Sequence, residues 1–195
     1  GLRHHPPVTT PAEHRPPETI ALDDDVVLRR YTPDMLVALA AAHAASVEHL
    51  TPFMPWATAD PTTNALQFLD RSLSSWRIGS AFEYAVVQPS TGKLLGGMGL
   101  MTRQGPGTLE VGYWLRPEAT GRGIATKGTA ALARVAFEFP DVETLVLLCD
   151  ESNTRSEAVA RRLGFQLLGV EDTPQLAPGQ TGRTMRWALA RESSS

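Results

Sequence analysis

The strongest constraint on this chain is a change of period within one continuous stretch. Residues 82–115 read as three short strands, Phe82–Gln88, Lys93–Met101 and Thr108–Leu115. Pro89-Ser90-Thr91-Gly92 and Gly105-Pro106-Gly107 separate them, and these are the residue types that tight turns need. Strands joined by such short links pair antiparallel. From Gly121 to Phe139 the spacing turns helical, with Ile124, Gly128, Ala131, Leu132, Val135 and Phe139 on one side. The unbroken apolar run Thr144–Cys149 then reads as a buried central strand.

The flanks complete a mixed α/β pattern. Ile20–Arg30 alternates as a first strand, with Asp23-Asp24-Asp25 marking a turn before its second half. Thr32-Pro33-Asp34 is a helix start, and the Ala-rich stretch after it runs to about Leu50. Thr51-Pro52-Phe53-Met54-Pro55-Trp56 breaks that helix. A second helix is expected over Pro61–Ile78, with Leu66, Leu69, Leu73 and Trp76 on one face and Gly79 ending it. Asn153–Leu163 is a further helix, closed by Gly164. Phe165–Val170 and Thr184–Ala190 are the last strands, joined by a long Pro/Gly-containing loop. The expected order is β-α-α-β-β-β-α-β-α-β-β, a mixed, mostly antiparallel sheet with flanking helices.

Composition narrows the classes of function. With 195 residues, 42% of them hydrophobic and 20% charged, the chain suits one packed domain. A formal charge of −3 leaves no electrostatic footprint for nucleic acid. No apolar run approaches the roughly 20 residues that span a bilayer. The single cysteine, Cys149, forms no internal disulfide and no Cys cluster for zinc. With no basic-then-apolar start, the expectation is a cytoplasmic protein. Gly1–Glu18 holds five prolines and three of the five histidines and is expected to be a mobile arm. The domain follows over residues 19–191, with a short tail at 192–195. No acidic or cysteine partner joins His4, His5 and His14, so no metal is expected.

The chemistry centres on residues 116–126. A strand, a turn carrying Gly121 and Gly123, and a helix follow one another. The free N–H groups and positive dipole end of such a helix start, with Arg122 beside them, suit a diphosphate. A dinucleotide fingerprint would want a third glycine where Thr126 stands, and an early βαβ unit. A phosphate-binding P-loop would want Lys then Ser/Thr after Gly128, where Thr129-Ala130 follow. A helix start without a ligand is the remaining alternative.

Gly121-Arg122-Gly123-Ile124-Ala125 resembles the pyrophosphate loop of the GNAT superfamily of N-acetyltransferases, whose motif is Gln/Arg-x-x-Gly-x-Gly/Ala. Gly123 and Ala125 match its last two places, and Thr120 stands where Gln or Arg is usual. Leu109-Glu110-Val111-Gly112-Tyr113-Trp114-Leu115 looks like the strand before that loop. Asn153-Thr154-Arg155-Ser156 and Leu163-Gly164-Phe165 look like the family's Asn-x-x-Ser helix and its ending. His49–Trp56 is similar to a segment of the RimJ/RimL branch, named for ribosomal-protein acetyltransferases. The resemblance covers roughly Ile20 to Ala190.

It implies a GNAT fold splayed where the donor enters, acetyl-CoA as co-substrate and no metal. It further implies transfer to a primary amine by direct attack on the thioester. The acceptor would be a protein or peptide N-terminus, or alternatively a small-molecule amine or antibiotic. A larger acyl donor and a non-catalytic acyl-CoA-binding module remain open, as does monomer or homodimer. Trp114, Leu115, Gly121, Arg122, Gly123, Ile124, Ala125, Thr126 and Asn153 would hold the donor, Asn153 through the pantetheine arm. A backbone N–H near Trp114 or Leu115 would face the developing oxyanion. Ser156 would protonate the leaving thiolate, because none of the three tyrosines, Tyr31, Tyr84 and Tyr113, follows Asn153. Glu110 is the first candidate base and Glu83 the second, although a glutamate on an antiparallel sheet is commonly just solvated. Phe53, Trp56 and Glu83 would line the acceptor side. Cys149 reads as inert packing, and His43 and His49 as surface or core residues.

Overall fold

The computed structural model describes residues 14–193. Its frame is a sheet of β1 (Thr19–Asp23), β2 (Val26–Arg30), β3 (Ala81–Gln88), β4 (Lys93–Met101), β5 (Thr108–Leu115), β6 (Thr144–Asp150), β7 (Gln166–Asp172) and β8 (Arg183–Ala190). The strand order is β1-β2-β3-β4-β5-β6-β8-β7. Every neighbouring pair is antiparallel except β5 and β6, which run parallel. A parallel pair needs a crossover, and α3 (Ile124–Glu138) provides it. The other helices are α1 (Leu36–Leu50), α2 (Pro61–Ile78) and α4 (Thr154–Arg162).

Two apolar layers hold the sheet from opposite faces. On one, α3 buries Ile124, Ala131, Leu132, Val135 and Ala136 against β1, β4 and β5. Gly128 lets it come close, since a Cβ there would sit 2.2 Å from the Met98 sulfur. On the other face α1 and α2 bury Leu39, Ala42, Ala65 and Leu69 with Tyr31, Ala85 and Val87. α2 begins where Asp60 accepts from the Thr63 N–H and ends at Gly79, which is left-handed at φ 82°. Both ends agree with the sequence reading.

Three expectations change. The first strand is a hairpin: Asp25 N–H donates to the Asp23 carboxylate at 3.1 Å, and this turn splits Ile20–Arg30 into β1 and β2. Leu66 does not share the buried face of α2; it is 57% exposed, whereas Leu69 and Trp76 are buried. The expected arm also behaves differently at its inner end. Residues 1–13 of it, with His4 and His5, lie outside the described residues, as do residues 194–195 of the tail.

His14–Glu18, the rest of that arm, pack on the domain. His14 stacks edge-on against Phe139 with ring centroids 4.4 Å apart. Arg15 donates to the Arg77 carbonyl at 2.9 Å, and Pro16 is buried. The Tyr84 hydroxyl donates to the Pro17 carbonyl at 2.6 Å, and Glu18 pairs with Arg30 at 2.7 Å. Truncation before Thr19 leaves the buried Tyr84 hydroxyl without its acceptor, a loss of about 2 kcal/mol. For a chain of this size that lowers Tm by about 4–8 °C, measured by differential scanning calorimetry. Were residues 14–18 a mobile arm, Tm would not move.

Candidate active site

β5 and β6 pair only over Thr108–Val111 against Thr144–Leu147. β5 continues to Leu115 and β6 to Asp150, so the two strands diverge and leave a V-shaped cleft in the sheet. Gly112, Tyr113, Trp114 and Leu148 become partly exposed there, although the paired stretch is almost wholly buried. Each lip is tied to its outer neighbour. The Arg116 N–H donates to the Leu95 carbonyl at 2.8 Å, and its Nε to the Leu94 carbonyl at 2.8 Å. On the other lip Asp150 stands opposite Thr184 of β8.

Ladder parity tells which backbone groups face the cleft. Antiparallel pairs alternate between hydrogen-bonded and non-bonded. With Arg116 bonded to Leu95, and Gly97 opposite Trp114, the backbone of Trp114 turns toward β4. That of Tyr113 and Leu115 turns toward the opening. Of the two expected positions for an oxyanion donor, the Leu115 N–H therefore points into the cleft and the Trp114 N–H does not.

The glycine turn lies beyond the end of β5. Pro117–Ala119 forms a short 3-10 turn with Ala119 buried, and Thr120 Oγ1 donates back to the Pro117 carbonyl at 2.6 Å. Gly121 and Gly123 are both left-handed, at φ 73° and 75°, a conformation that only glycine adopts at little cost. A Cβ on either would meet nothing within 4 Å. No side chain caps α3, so its N-terminus offers free N–H donors and its dipole to open space. Arg122 is exposed, and Arg162 from α4 donates to Thr126 Oγ1 at 3.0 Å, bringing a second guanidinium to this end. Ile124, Ala125 and Thr126 are the first turn of the helix. This set fits a diphosphate.

Asn153 is the N-cap of α4, its Oδ1 accepting from the Ser156 N–H at 3.2 Å. Ser156 is buried, and its Oγ lies 2.9 Å from the Tyr113 hydroxyl. Tyr113 belongs to the α3 side of the sheet and rises from the cleft edge of β5. Its burial raises the phenol above the ordinary value of 10.0, which keeps it protonated. Reading along the chain misses this partner because Tyr113 precedes Asn153 by forty positions. Sheet-face parity across β5, which separates Tyr113 from Glu110 and Trp114, was the available signal.

The opposite face carries the carboxylates. Glu83 lies across Gly99, where a Cβ would be 2.1 Å from its Oε2. Burial raises its carboxyl from 4.5 to about 7; nearby Arg103 opposes that rise and Glu110 adds to it. Glu110, almost fully buried, is bound on both oxygens: Arg103 donates to them at 2.8 and 2.7 Å, and Gln104 donates at 2.7 Å. The structure brings both expected bases, Glu110 and Glu83, to one face of the sheet.

Aromatic rings adjoin them. The His43 ring lies 5.0 Å from that of Trp56 and 5.1 Å from that of Trp114, and Trp56 and Trp114 stand edge-on at 5.7 Å. Burial lowers His43 to about 4, so it is neutral at ordinary pH and adds no charge against a cationic amine. The half-buried Phe53 shares the loop of Trp56, and its carbonyl accepts from Gln180 Nε2 at 2.8 Å. Cys149 is buried and burial pushes its thiol up to about 12, so it is no nucleophile. Among the described residues no helix is long and apolar enough to cross a membrane, and no three His, Cys, Asp or Glu side chains are grouped to hold a metal ion.

Comparison with known proteins converges on one family. The model of the acetyltransferase (GNAT) domain matches residues 25–166. A 56-residue stretch is 36% identical to the putative ribosomal N-acetyltransferase YdaF of Bacillus subtilis (strain 168), covering 29% of this chain and 31% of that relative. Among solved structures, the microcin C7 self-immunity acetyltransferase MccE, in complex with acetyl-CoA and AMP, superposes with a TM-score of 0.81 at 20% identity, over 90% of this chain and 97% of the other. The ribosomal L7/L12 α-N-protein acetyltransferase RimL, in complex with coenzyme A, gives 0.79 at 21% identity, over 89% and 98%. The ribosomal-protein-S5-alanine acetyltransferase of Vibrio fischeri gives 0.77 at 20% identity, over 88% and 96%. With the family model spanning most of the domain and the sheet splayed beside a glycine-opened helix, the chain belongs to the GNAT acetyltransferase family.

Proposed function

We propose that this protein transfers the acetyl group of acetyl-CoA to a primary amine, and that the N-terminal amine of a protein or peptide is the acceptor. The observation that carries the reading is the cleft itself. A half-buried hydroxyl pair, Tyr113–Ser156, stands on its α3 side, and on the other face Glu83 has an elevated affinity for protons. The likeness to RimL and to the S5-alanine enzyme supports a peptide acceptor. MccE, whose name marks a self-immunity enzyme, supports a small-molecule amine as the second reading.

The α3 N-terminus with Arg122 holds the diphosphate of the donor, and Asn153 borders its pantetheine arm. Glu83 accepts a proton from the ammonium, directly or through one water, and the freed amine nitrogen attacks the thioester carbon. The Leu115 N–H stabilises the oxygen on which charge develops. As the C–N bond forms and the C–S bond breaks, Ser156 passes its proton to the leaving sulfur and is reprotonated through Tyr113, which regains its own from the second proton that the new amide nitrogen sheds. Trp56, Phe53 and neutral His43 shape the apolar approach for the acceptor.

The discriminating experiment is thiol release from acetyl-CoA with the tetrapeptides Ser-Gly-Gly-Phe and Ala-Gly-Gly-Phe beside spermidine and an aminoacyl adenylate analogue. Activity confined to the peptides supports the N-terminal acceptor, and activity confined to the small amines supports the second reading. No thiol release with any of them, in protein that binds CoA, favours a non-catalytic module.

Four single variants test the roles. Gly123→Val forces a β-branched residue into a left-handed turn and puts methyl groups where the backbone must approach a phosphate. CoA affinity in calorimetry should fall by at least about tenfold. Ser156→Ala and Tyr113→Phe should each lower kcat by about 10²-fold, and the double variant should be no slower than the worse single, since the hydroxyls act as one unit.

Glu83→Gln should remove the limb of the kcat/KM profile that rises through about pH 7. Its stability should move the other way. The folded-state pKa is raised, so the folded protein holds the Glu83 proton more tightly, and wild-type stability falls as pH rises from about 4.5 to about 7. The amide carries no such penalty, and thermal melts at pH 8 should place Glu83→Gln above wild type.

A further inference from the structure

The loop between β7 and β8, Thr173–Gly182, does not hang free. Asp150, at the end of the cleft strand β6, accepts from five donors, three of them in the end of that loop. The N–H of Ser152 donates at 2.9 Å and its hydroxyl at 2.7 Å. The N–H of Thr181 donates to both oxygens at 3.0 Å and its hydroxyl at 3.1 Å, and the N–H of Gly182 at 3.3 Å. Burial raises this carboxyl, but the bonds from Ser152 and Thr181 outweigh that and hold it at about 2. The anchor is therefore ionised at every working pH.

The anchored loop presents Gly179 and Gln180 to the segment between α1 and α2. The Gly179 N–H donates to the Pro52 carbonyl at 2.7 Å. A Cβ on Gly179 would lie 2.6 Å from that same oxygen, so the approach is open only to glycine. Gln180 uses both ends of its carboxamide. Its Oε1 accepts from the N–H groups of Leu176 at 2.9 Å and Ala177 at 3.2 Å, which shapes its own loop. Its Nε2 donates to the Phe53 carbonyl at 2.8 Å, which reaches across to the other.

We propose that Gln180 is a positioning residue for the acceptor: through the Phe53 carbonyl it clasps the α1–α2 segment carrying Phe53 and Trp56 onto the Asp150-anchored loop, and so sets acceptor affinity. It touches neither the glycine turn nor the Tyr113–Ser156 pair, so the donor side is untouched. The inference rests on the proposed transfer to an amine only for the meaning of that affinity; the clasp itself is a property of the free protein.

Gln180→Glu separates the two ends of the carboxamide. One carboxylate oxygen still accepts from Leu176 and Ala177, so the loop keeps its shape, while the other faces the Phe53 carbonyl with no proton to donate. Two measurements are made on wild type, Gln180→Glu and Gly179→Ala. The first is amide hydrogen exchange over residues 51–59 without acceptor. The second is steady-state transfer to Ser-Gly-Gly-Phe, or to spermidine if only small amines are active, together with CoA titration. Loss of one neutral hydrogen bond should speed exchange in that segment about five- to tenfold and raise the acceptor KM by a similar factor. The KM for acetyl-CoA, the CoA affinity and kcat at saturating acceptor should not change. Gly179→Ala should do the same by pushing the Pro52 carbonyl away.

Unchanged exchange at 51–59 in Gln180→Glu overturns the clasp, whether or not any amine is acetylated. Faster exchange with an unchanged acceptor KM overturns the positioning role. Wild-type inactivity toward every amine counts against the proposed function instead, and the exchange result still decides the clasp.

Discussion

The geometry of the candidate site depends on where one β-ladder stops. β5 and β6 are paired for four residues and then part. An unpaired strand edge normally needs covering, because its N–H and C=O groups seek partners. Here the opening is held by forces from outside the cleft. The Arg116 guanidinium and backbone keep the β5 lip on β4, and pairing with β8 together with the Asp150 bonds keeps the β6 lip on the far side. The backbone groups of Tyr113 and Leu115 thus face the opening rather than β4, in a sheet packed by α3 on one face and by α1 and α2 on the other.

The two glutamates show how environment assigns roles to identical side chains. Glu110 has a guanidinium and an amide at hydrogen-bond distance and serves as a counter-charge. Glu83 rests on the bare backbone of Gly99, with burial dominating the influences upon it, and is drawn toward neutrality. A carboxylate kept near neutrality by its surroundings costs folding stability at pH 7 and above, and in return can take up a proton at ordinary pH. The same logic holds across the sheet. Burial keeps the Tyr113 phenol protonated and in contact with Ser156.

Much of this was legible in residue order. Local signals are strong where one residue type has one backbone use. Pro61 opens α2 and Gly79 ends it, and the turns at 89–92 and 105–107 bound the strands of the meander. Gly121 and Gly123 adopt the left-handed conformation that their pattern implies. Asn153 and Ser156 meet as cap and first turn because three residues separate them. The readings that changed are ones that local pattern cannot settle. Leu66 has the spacing of a buried residue, but the width of the stripe that α2 buries is set by what lies beneath it. His14–Glu18 contain little apolar surface, yet they are held by partners sixty or more residues away, Arg77 and Tyr84 among them.

The sequence alone determined the alternation of elements, the glycine-opened helix and the candidate side chains, because turn chemistry, periodicity and capping act within a few residues. It did not determine which of those side chains meet. Tyr113 finds Ser156, Arg103 donates to Glu110, and Gln180 reaches Phe53 only because the fold brings these segments together. Protonation state and access are set by such long-range neighbours and by burial, and both are properties of the packed structure.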